Sequence, residues 1–195
     1  MTERAPDELI PGFTPESPLE AELVADADLQ RGLRWGRPRK AHPEGRIGNH
    51  VADLLEEIDR AGESGERRSL LRVVALLHDS FKGDVKRWLP RTGENHHATR
   101  ARRFAERYSD DERVLATIEL HDRPYNIWRK MKRKGRLDED ALDDVLGSVP
   151  DHDLFLRFIE IDGSSEAKDE EPIRWLRAEM ARRAPAAVDP AAPSE

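Results

Sequence analysis

Residues 70–79 read Leu-Leu-Arg-Val-Val-Ala-Leu-Leu-His-Asp, with Ser80-Phe81-Lys82 following. The stretch is apolar on nearly every side of a helix, which places that helix at the centre of a domain rather than on its surface. It ends on two ionisable residues. A histidine and an aspartate delivered to the inner end of a buried helix need partners, because burying such groups unpaired is strongly unfavourable.

Helical periodicity continues outward in both directions, and alternating strand patterns are scarce. Residues 18–33 form a first helix after Pro18, and 34–45, with its prolines and glycines, reads as a loop. A helix over 47–61 puts Ile47, Val51, Leu54, Leu55 and Ile58 on one face, and Gly62-Glu63-Ser64-Gly65 breaks it. The apolar helix occupies 66–79 and another covers 95–108. Ser109-x-x-Glu112 has the spacing of a capping box and starts a helix that ends near His121-Asp122. Residues 125–134, 138–147, 151–162 and 169–182 complete the set, with Asp138 and Asp169 as N-caps.

The expected fold class is all-α, a compact single-domain bundle of about seven or eight helices spanning 18–182. Residues 1–17 and 183–195, rich in Pro, Ala and acidic side chains, read as a mobile N-terminal tail and a disordered C-terminal tail.

Of the 195 residues, 37% are hydrophobic and 37% charged, so one modest core is the limit. There is no cysteine, which excludes disulfides and thiolate zinc sites and leaves imidazole and carboxylate to hold any metal. No secretory leader and no apolar run of about 20 residues is present, so a cytoplasmic protein without a membrane span is expected. A net charge of −7 argues against coating nucleic acid. One local exception is the basic run 129–136, read either as a solvated helix end or as a contact for a phosphorylated ligand or nucleic acid.

Four apolar segments bring ionisable groups toward one interior. His50 lies on one helix, His78-Asp79 closes the most apolar one, His121 closes another, and Asp162 ends the run Leu154–Ile161. A divalent cation satisfies such a set, and mixed nitrogen and oxygen ligands suit Mn, Fe, Co, Ni or Zn, with Mg also open. An adjacent His-Asp pair diverges by about 100° around a helix end, so the aspartate can approach from a second angle and bridge two ions. A metal with an open position lowers the pKa of bound water toward ~7 and polarises a phosphoryl oxygen. In the segment 121–129, Arg123 adds a guanidinium suited to bidentate phosphate contact, beside Tyr125 and Trp128. Lys168 is a further candidate for the substrate. Asp122 either orients an imidazole or caps a helix, His42 serves its Pro-Glu-Gly turn, and His152 is exposed. Trp88, Trp128 and Trp175 are expected in the core.

The ordered set resembles the HD superfamily of metal-dependent phosphohydrolases. His42-Pro43-Glu44-Gly45-x4-His50 resembles the HPEG-x4-H entry of many HD domains, Leu76–Lys82 resembles the LLHD-x-x-K segment, and Ile159–Ser164 resembles the closing aspartate segment. The resemblance covers about residues 40–170. It implies that His50, His78, Asp79 and Asp162 hold a first divalent metal ion, and that His96 and His121 hold a second where two are bound. His96 is preferred over His97 because Ala101 then falls where the family often has a small residue. Lys82 matches the family lysine that contacts a substrate phosphate. Ser80-Phe81 depart from the apolar residue and glycine frequent before that lysine, and Phe81 is expected to narrow the pocket. No GYP signature is present, so cyclic di-GMP hydrolysis is not indicated.

The resemblance thus implies hydrolysis of a phosphate mono- or diester on a nucleotide or related small molecule. The rivals are a non-catalytic module that senses nucleotide or RNA through 129–136, and a di-iron oxygenase built from the same ligand types.

Overall fold

The computed structural model describes residues 8–38, 44–164 and 170–183. Ten α-helices occur among them: α1 (Pro18–Ala25), α2 (Ala27–Leu33), α3 (Ile47–Arg60), α4 (Gly65–Leu77), α5 (His97–Ala105), α6 (Glu112–Leu120), α7 (Arg123–Lys134), α8 (Glu139–Gly147), α9 (His152–Gly163) and α10 (Glu171–Arg183). Two 3-10 turns, Lys82–Asp84 and Gly93–Asn95, lie between α4 and α5. The only β-type contact among the described residues is an isolated bridge between Gly36 and Arg46. The fold is all-α, as expected.

Helix α4 is the axis. Leu71 to Leu77 are buried without interruption, and α3, α5, α6 and α9 pack around it. This first core collects Val51, Leu55 and Ile58 of α3, Ala101 and Phe104 of α5, Leu115 and Ile118 of α6, and Phe158 of α9. A second, smaller core gathers Ile127 of α7, Leu142 and Val145 of α8, Leu176 of α10 and Phe155 of α9. Helix α9 therefore serves both. Phe155 and Phe158, three residues apart and each fully buried, point into different cores.

Several sequence expectations change in detail. The single helix over 18–33 is two helices that turn at Asp26, whose backbone is extended. The Asp26 carboxylate makes the corner: Oδ1 accepts from the Asp28 N–H at 2.7 Å, and Oδ2 accepts from the Tyr108 hydroxyl at 2.6 Å. The capping box at Ser109 does not form. Asp111 caps α6 instead, accepting from the Arg113 N–H at 2.9 Å, while Ser109 Oγ accepts from the Asp111 N–H. The ionised carboxylate is the stronger acceptor, and it displaced the hydroxyl by two residues. Asp138 sits at the start of α8, but its side chain makes no capping hydrogen bond and instead takes Lys130.

The N-terminal stretch packs further than its composition suggested. Ile10 is buried in the first core, with Leu9 and Phe13 against it, so a tail reaching to residue 17 is too long. Residues 1–7 and the C-terminal stretch from 184 lie outside the described residues, as do His42, Lys168 and Asp169. Trp88 is 79% exposed rather than in the core, because it lies in the non-helical stretch between the two 3-10 turns. Phe81 turns inward, its ring tilted against Phe104 at 5.1 Å, so it supports the core and does not narrow a pocket. Next to it α2 crosses very close: a Cβ on Gly32 would lie 1.9 Å from the Ser80 carbonyl oxygen. Only glycine allows that approach, which braces the backbone just after Asp79. No described helix is long and apolar enough to cross a membrane.

Candidate metal centre

His78 and His121 occupy equivalent places. Each is the residue that ends its helix, α4 or α6, and each folds its ring back onto that helix. His78 Nδ1 lies 3.1 Å from the Ala75 carbonyl oxygen, and His121 Nδ1 lies 2.8 Å from that of Ile118. A carbonyl can only accept, so Nδ1 carries the proton in both rings and Nε2 presents a lone pair. The capping thus satisfies helix-end carbonyls and aims two imidazole lone pairs inward. The two rings stand edge to face at 5.1 Å, and Phe158 closes on His78 at the same separation.

Asp79 is the hub. Its Oδ2 faces His78 Nε2 at 3.5 Å and takes a hydrogen bond from Lys82 Nζ. Its Oδ1 faces His97 Nε2 at 3.3 Å and His121 Nε2 at 3.6 Å. Beyond His78, His50 Nε2 lies 3.1 Å from Asp162 Oδ1. Three groups of donor atoms, each within 4.8 Å, follow along one line: His50, His78 and Asp162; then Asp79, His97 and His121; then His96, His97 and Asp122.

The protonation states fit a cation. Burial pushes the His78 and His97 imidazoles down, toward neutral. Burial also opposes charge on Asp79, yet Lys82 and the facing histidines outweigh it and hold the carboxyl well below the usual range. At His121 burial pulls down, but the pull of Asp79 is larger and the net direction is up. Asp122 is held at about 2: burial works against its charge, and the hydrogen bond from His96 with nearby imidazoles overcomes it. At His78 and His97, then, rings favoured as neutral lie beside ionised carboxylates. Among the described residues, His78 Nε2, Asp79 Oδ1, His97 Nε2 and Asp122 Oδ1 are buried without any hydrogen-bond partner. Such orphans cost roughly 1–3 kcal/mol each, and a divalent ion shared by these atoms removes the cost. The residues present fit a metal.

Placement of the sequence candidates follows. His50, His78, Asp79, His121 and Asp162 converge. His96 stands one step outside, its Nδ1 accepting from the Ala98 N–H at 3.3 Å and its Nε2 facing Asp122 at 3.4 Å. His97 takes the place expected of His96. The signal was available: His97 lies four residues before Ala101, on the face of α5 that buries Ala101 and Phe104, whereas His96 is the cap. Asp122 holds an imidazole; it precedes α7 but its side chain makes no cap bond. His152 is exposed, as expected, with Nε2–H donating to the Leu146 carbonyl at 2.8 Å. In the basic run, Lys130 pairs with Asp138 and Lys132 with Glu171.

A cleft of about 830 Å³ lies beside these residues, lined by Lys82, His96, His97, Asp122 and Arg123 among others. The His97 and Lys82 side of the centre is therefore the side that faces open space.

Residues 47–153 match the HD domain family. The matched span covers His50, His78, Asp79, Lys82, His97 and His121, and ends before Asp162. No curated protein and no solved structure matches the chain.

Proposed function

Since the chain belongs to the HD-domain family, a superfamily of metal-dependent phosphohydrolases, we propose that it hydrolyses a phosphate mono- or diester of a nucleotide or related small molecule. The observation that carries this reading is the convergence of buried, unpartnered Nε2 and Oδ atoms around Asp79, beside an open cleft that His97 and Lys82 line. His50, His78, Asp79 and Asp162 would hold one divalent ion. Asp79, His97 and His121 would hold a second, with Asp79 offering a different oxygen to each. A cation bound there supplies Lewis-acid activation of water and of a phosphoryl oxygen.

The chain's own residues do the rest. The helix-end carbonyls of Ala75 and Ile118 fix the tautomers of His78 and His121 and stop either ring from turning its N–H toward the substrate side. Lys82 stays protonated, because Asp79 raises its pKa more than burial lowers it. It lines the cleft and can donate to a phosphoryl oxygen. Arg123, exposed and lining the same cleft, offers a planar fork that matches two oxygens of one phosphate. His96 is held between the Ala98 N–H and Asp122, which orients it at the cleft.

The test is elemental analysis of the purified protein beside phosphatase and phosphodiesterase assays with added manganese, for wild type and His78→Ala. About one or two metal equivalents, with hydrolysis that disappears in His78→Ala, is the expected result. Tightly bound iron with an absorbance change in air and no hydrolysis would overturn it in favour of an oxygenase. Metal without hydrolysis, together with nucleotide binding abolished by charge reversal at Lys132 and Arg133, would overturn it in favour of a sensor.

A further inference from the structure

The chain has a surplus of acid, 40 Asp and Glu against 33 Lys and Arg, and many of its arginines lie against a carboxylate. Arg31, Arg60, Arg67, Arg102, Arg103 and Arg107 each sit within 4 Å of one. The cleft gathers four that do not. Arg87, Arg91, Arg123 and Arg129 all line it, and among the described residues none of the four has a carboxylate at ion-pair distance. Of the two acids that line it, Glu119 lies near Arg102 at 3.5 Å and Asp122 faces His96 at 3.4 Å.

The cluster is built, not incidental. Arg87 and Arg91 flank a stretch that Asn95, itself buried, fastens by four hydrogen bonds: its Oδ1 accepts from the Lys86 N–H at 2.8 Å, and its Nδ2 donates to the carbonyls of Lys86, Leu89 and Pro90. Arg123 and Arg129 stand on α7, whose Ile127 anchors in the second core. Two independently fixed walls therefore hold like charges facing one space, with the metal-ligand groups beside it. Four guanidiniums without counter-charges repel one another, a cost that an anion in the cleft removes.

The number of charges sets the class of anion. A single phosphate ester carries about −1.5 to −2, and at the centre it would already meet the metal and Lys82. Even with Arg123 turned to that phosphate, Arg87, Arg91 and Arg129 are left over. From this surplus we propose that the natural substrate is a small polyphosphorylated molecule, with phosphoryl groups beyond the one cleaved, held by Arg87, Arg91 and Arg129 beside Arg123. The inference builds on the hydrolase reading above and narrows its substrate. The cleft volume, about 830 Å³, is that of a small-molecule pocket, which favours a compact ligand over a nucleic-acid strand.

The experiment is calorimetric titration of the full-length, metal-loaded protein with tripolyphosphate and with orthophosphate. It is repeated on the double variant Arg87→Ala/Arg91→Ala, with metal content assayed after each titration. Both arginines are exposed, so the variant keeps its fold. The expected result is tripolyphosphate bound more tightly than orthophosphate, and weakened roughly 10- to 100-fold per lost charged contact in the variant, whose metal content stays at the wild-type level. Chelation of the metal by tripolyphosphate would be the same in both proteins, so the difference reports the cleft. Equal affinity for the two anions, or no change in the variant, overturns the proposal. If p-nitrophenyl phosphate is hydrolysed in that case, the hydrolase reading survives alone. Tripolyphosphate bound and lost in the variant, but no hydrolysis of any ester, supports the cleft while removing the hydrolase. A single-stranded oligonucleotide bound more tightly than tripolyphosphate overturns the small-molecule class.

Discussion

Two clusters of buried charge sit on the same helix, α4, and they differ in one respect. Past its midpoint, Arg72 meets Glu20 of α1; the two are 4% and 1% exposed, and nothing in that cluster is left wanting. Arg72 Nε and Nη2 meet the two Glu20 oxygens at 2.8 and 2.9 Å, Nη2 also reaches the Thr14 carbonyl, and Nη1 reaches Glu16. Glu20 takes a further hydrogen bond from the Glu16 N–H at 2.8 Å. Less than two turns further on, at the C-terminal end of α4, His78 and Asp79 are as deeply buried, yet one atom of each has no partner. Both clusters are ionic and both are inside. Satisfaction separates them: a completed network belongs to the fold, and an incomplete one is addressed to something that arrives from outside.

The sharpest way to break that contrast is substitution at the incomplete end. His78→Ala or Asp79→Ala should abolish metal retention and lower hydrolysis by about 10³-fold or more, some 4 kcal/mol of barrier. The melting temperature of the metal-free His78→Ala protein should change little, because the orphaned Nε2 it removes offsets the lost hydrogen bond to the Ala75 carbonyl. Metal content, a manganese-supplemented ester assay and a thermal melt read all three. A large fall in metal-free stability would mean the centre is structural.

The complementary change is Arg72→Ala. It strands Glu20 and should cost about 3–5 kcal/mol of stability, read by urea denaturation, while metal per folded molecule is unchanged. Replacing both partners together, Arg72→Leu with Glu20→Leu, should recover most of that loss.

Adding the missing partner is the next largest effect. Manganese at about a hundred times its dissociation constant should stabilise the wild type by about 2.7 kcal/mol, or roughly 5–10 °C in a chain of this size. It should leave Asp79→Ala unmoved.

The smallest effect concerns a second completed network. Glu63 takes Arg67 and Arg157, each at 2.6 Å. Burial pushes its carboxyl up, but the two guanidinium hydrogen bonds push further and the net direction is down. A carboxyl whose pKa falls on folding stabilises above its unfolded pKa, near 4.5, and that contribution disappears as pH drops through the folded value. Glu63→Gln should therefore melt below wild type at pH 7 by about 1–2 kcal/mol, with the gap closing below about pH 4.5. A gap independent of pH would show that the charge is not what matters there.

How much of this could be read from the chain alone depends on whether the signal was periodic. The apolar run to Leu77 placed α4 at the centre with His78 at its end, and the helix read as closing near His121-Asp122 placed His121 likewise, where the structure has them. Competitions between neighbours were less legible. Ser109 and Asp111 both offered a cap, and the stronger acceptor took it. His96 and His97 both offered a ring, and only register against Ala101 and Phe104 decides which one turns inward. The cleft arginines were invisible for another reason. Arg87 and Arg91 lie in a non-periodic stretch whose course is set by a single side chain, Asn95, and no pattern in the surrounding residues announces that role. The surplus of positive charge at the cleft comes from two segments more than thirty residues apart, so composition averaged it away.

Rings pinned to the ends of their own helices have a consequence for how the centre is loaded. A site whose ligands are held by backbone carbonyls and a packed phenylalanine does not assemble around its ion, so entry and exit proceed without refolding and are paced by dehydration of the incoming cation. Imidazole and carboxylate donors accept several first-row divalent ions, and metal availability helps decide which one is bound. Which element the protein carries when it leaves the cell should therefore follow the supply, and growing it in media enriched in one metal or another should change the occupant without changing the fold.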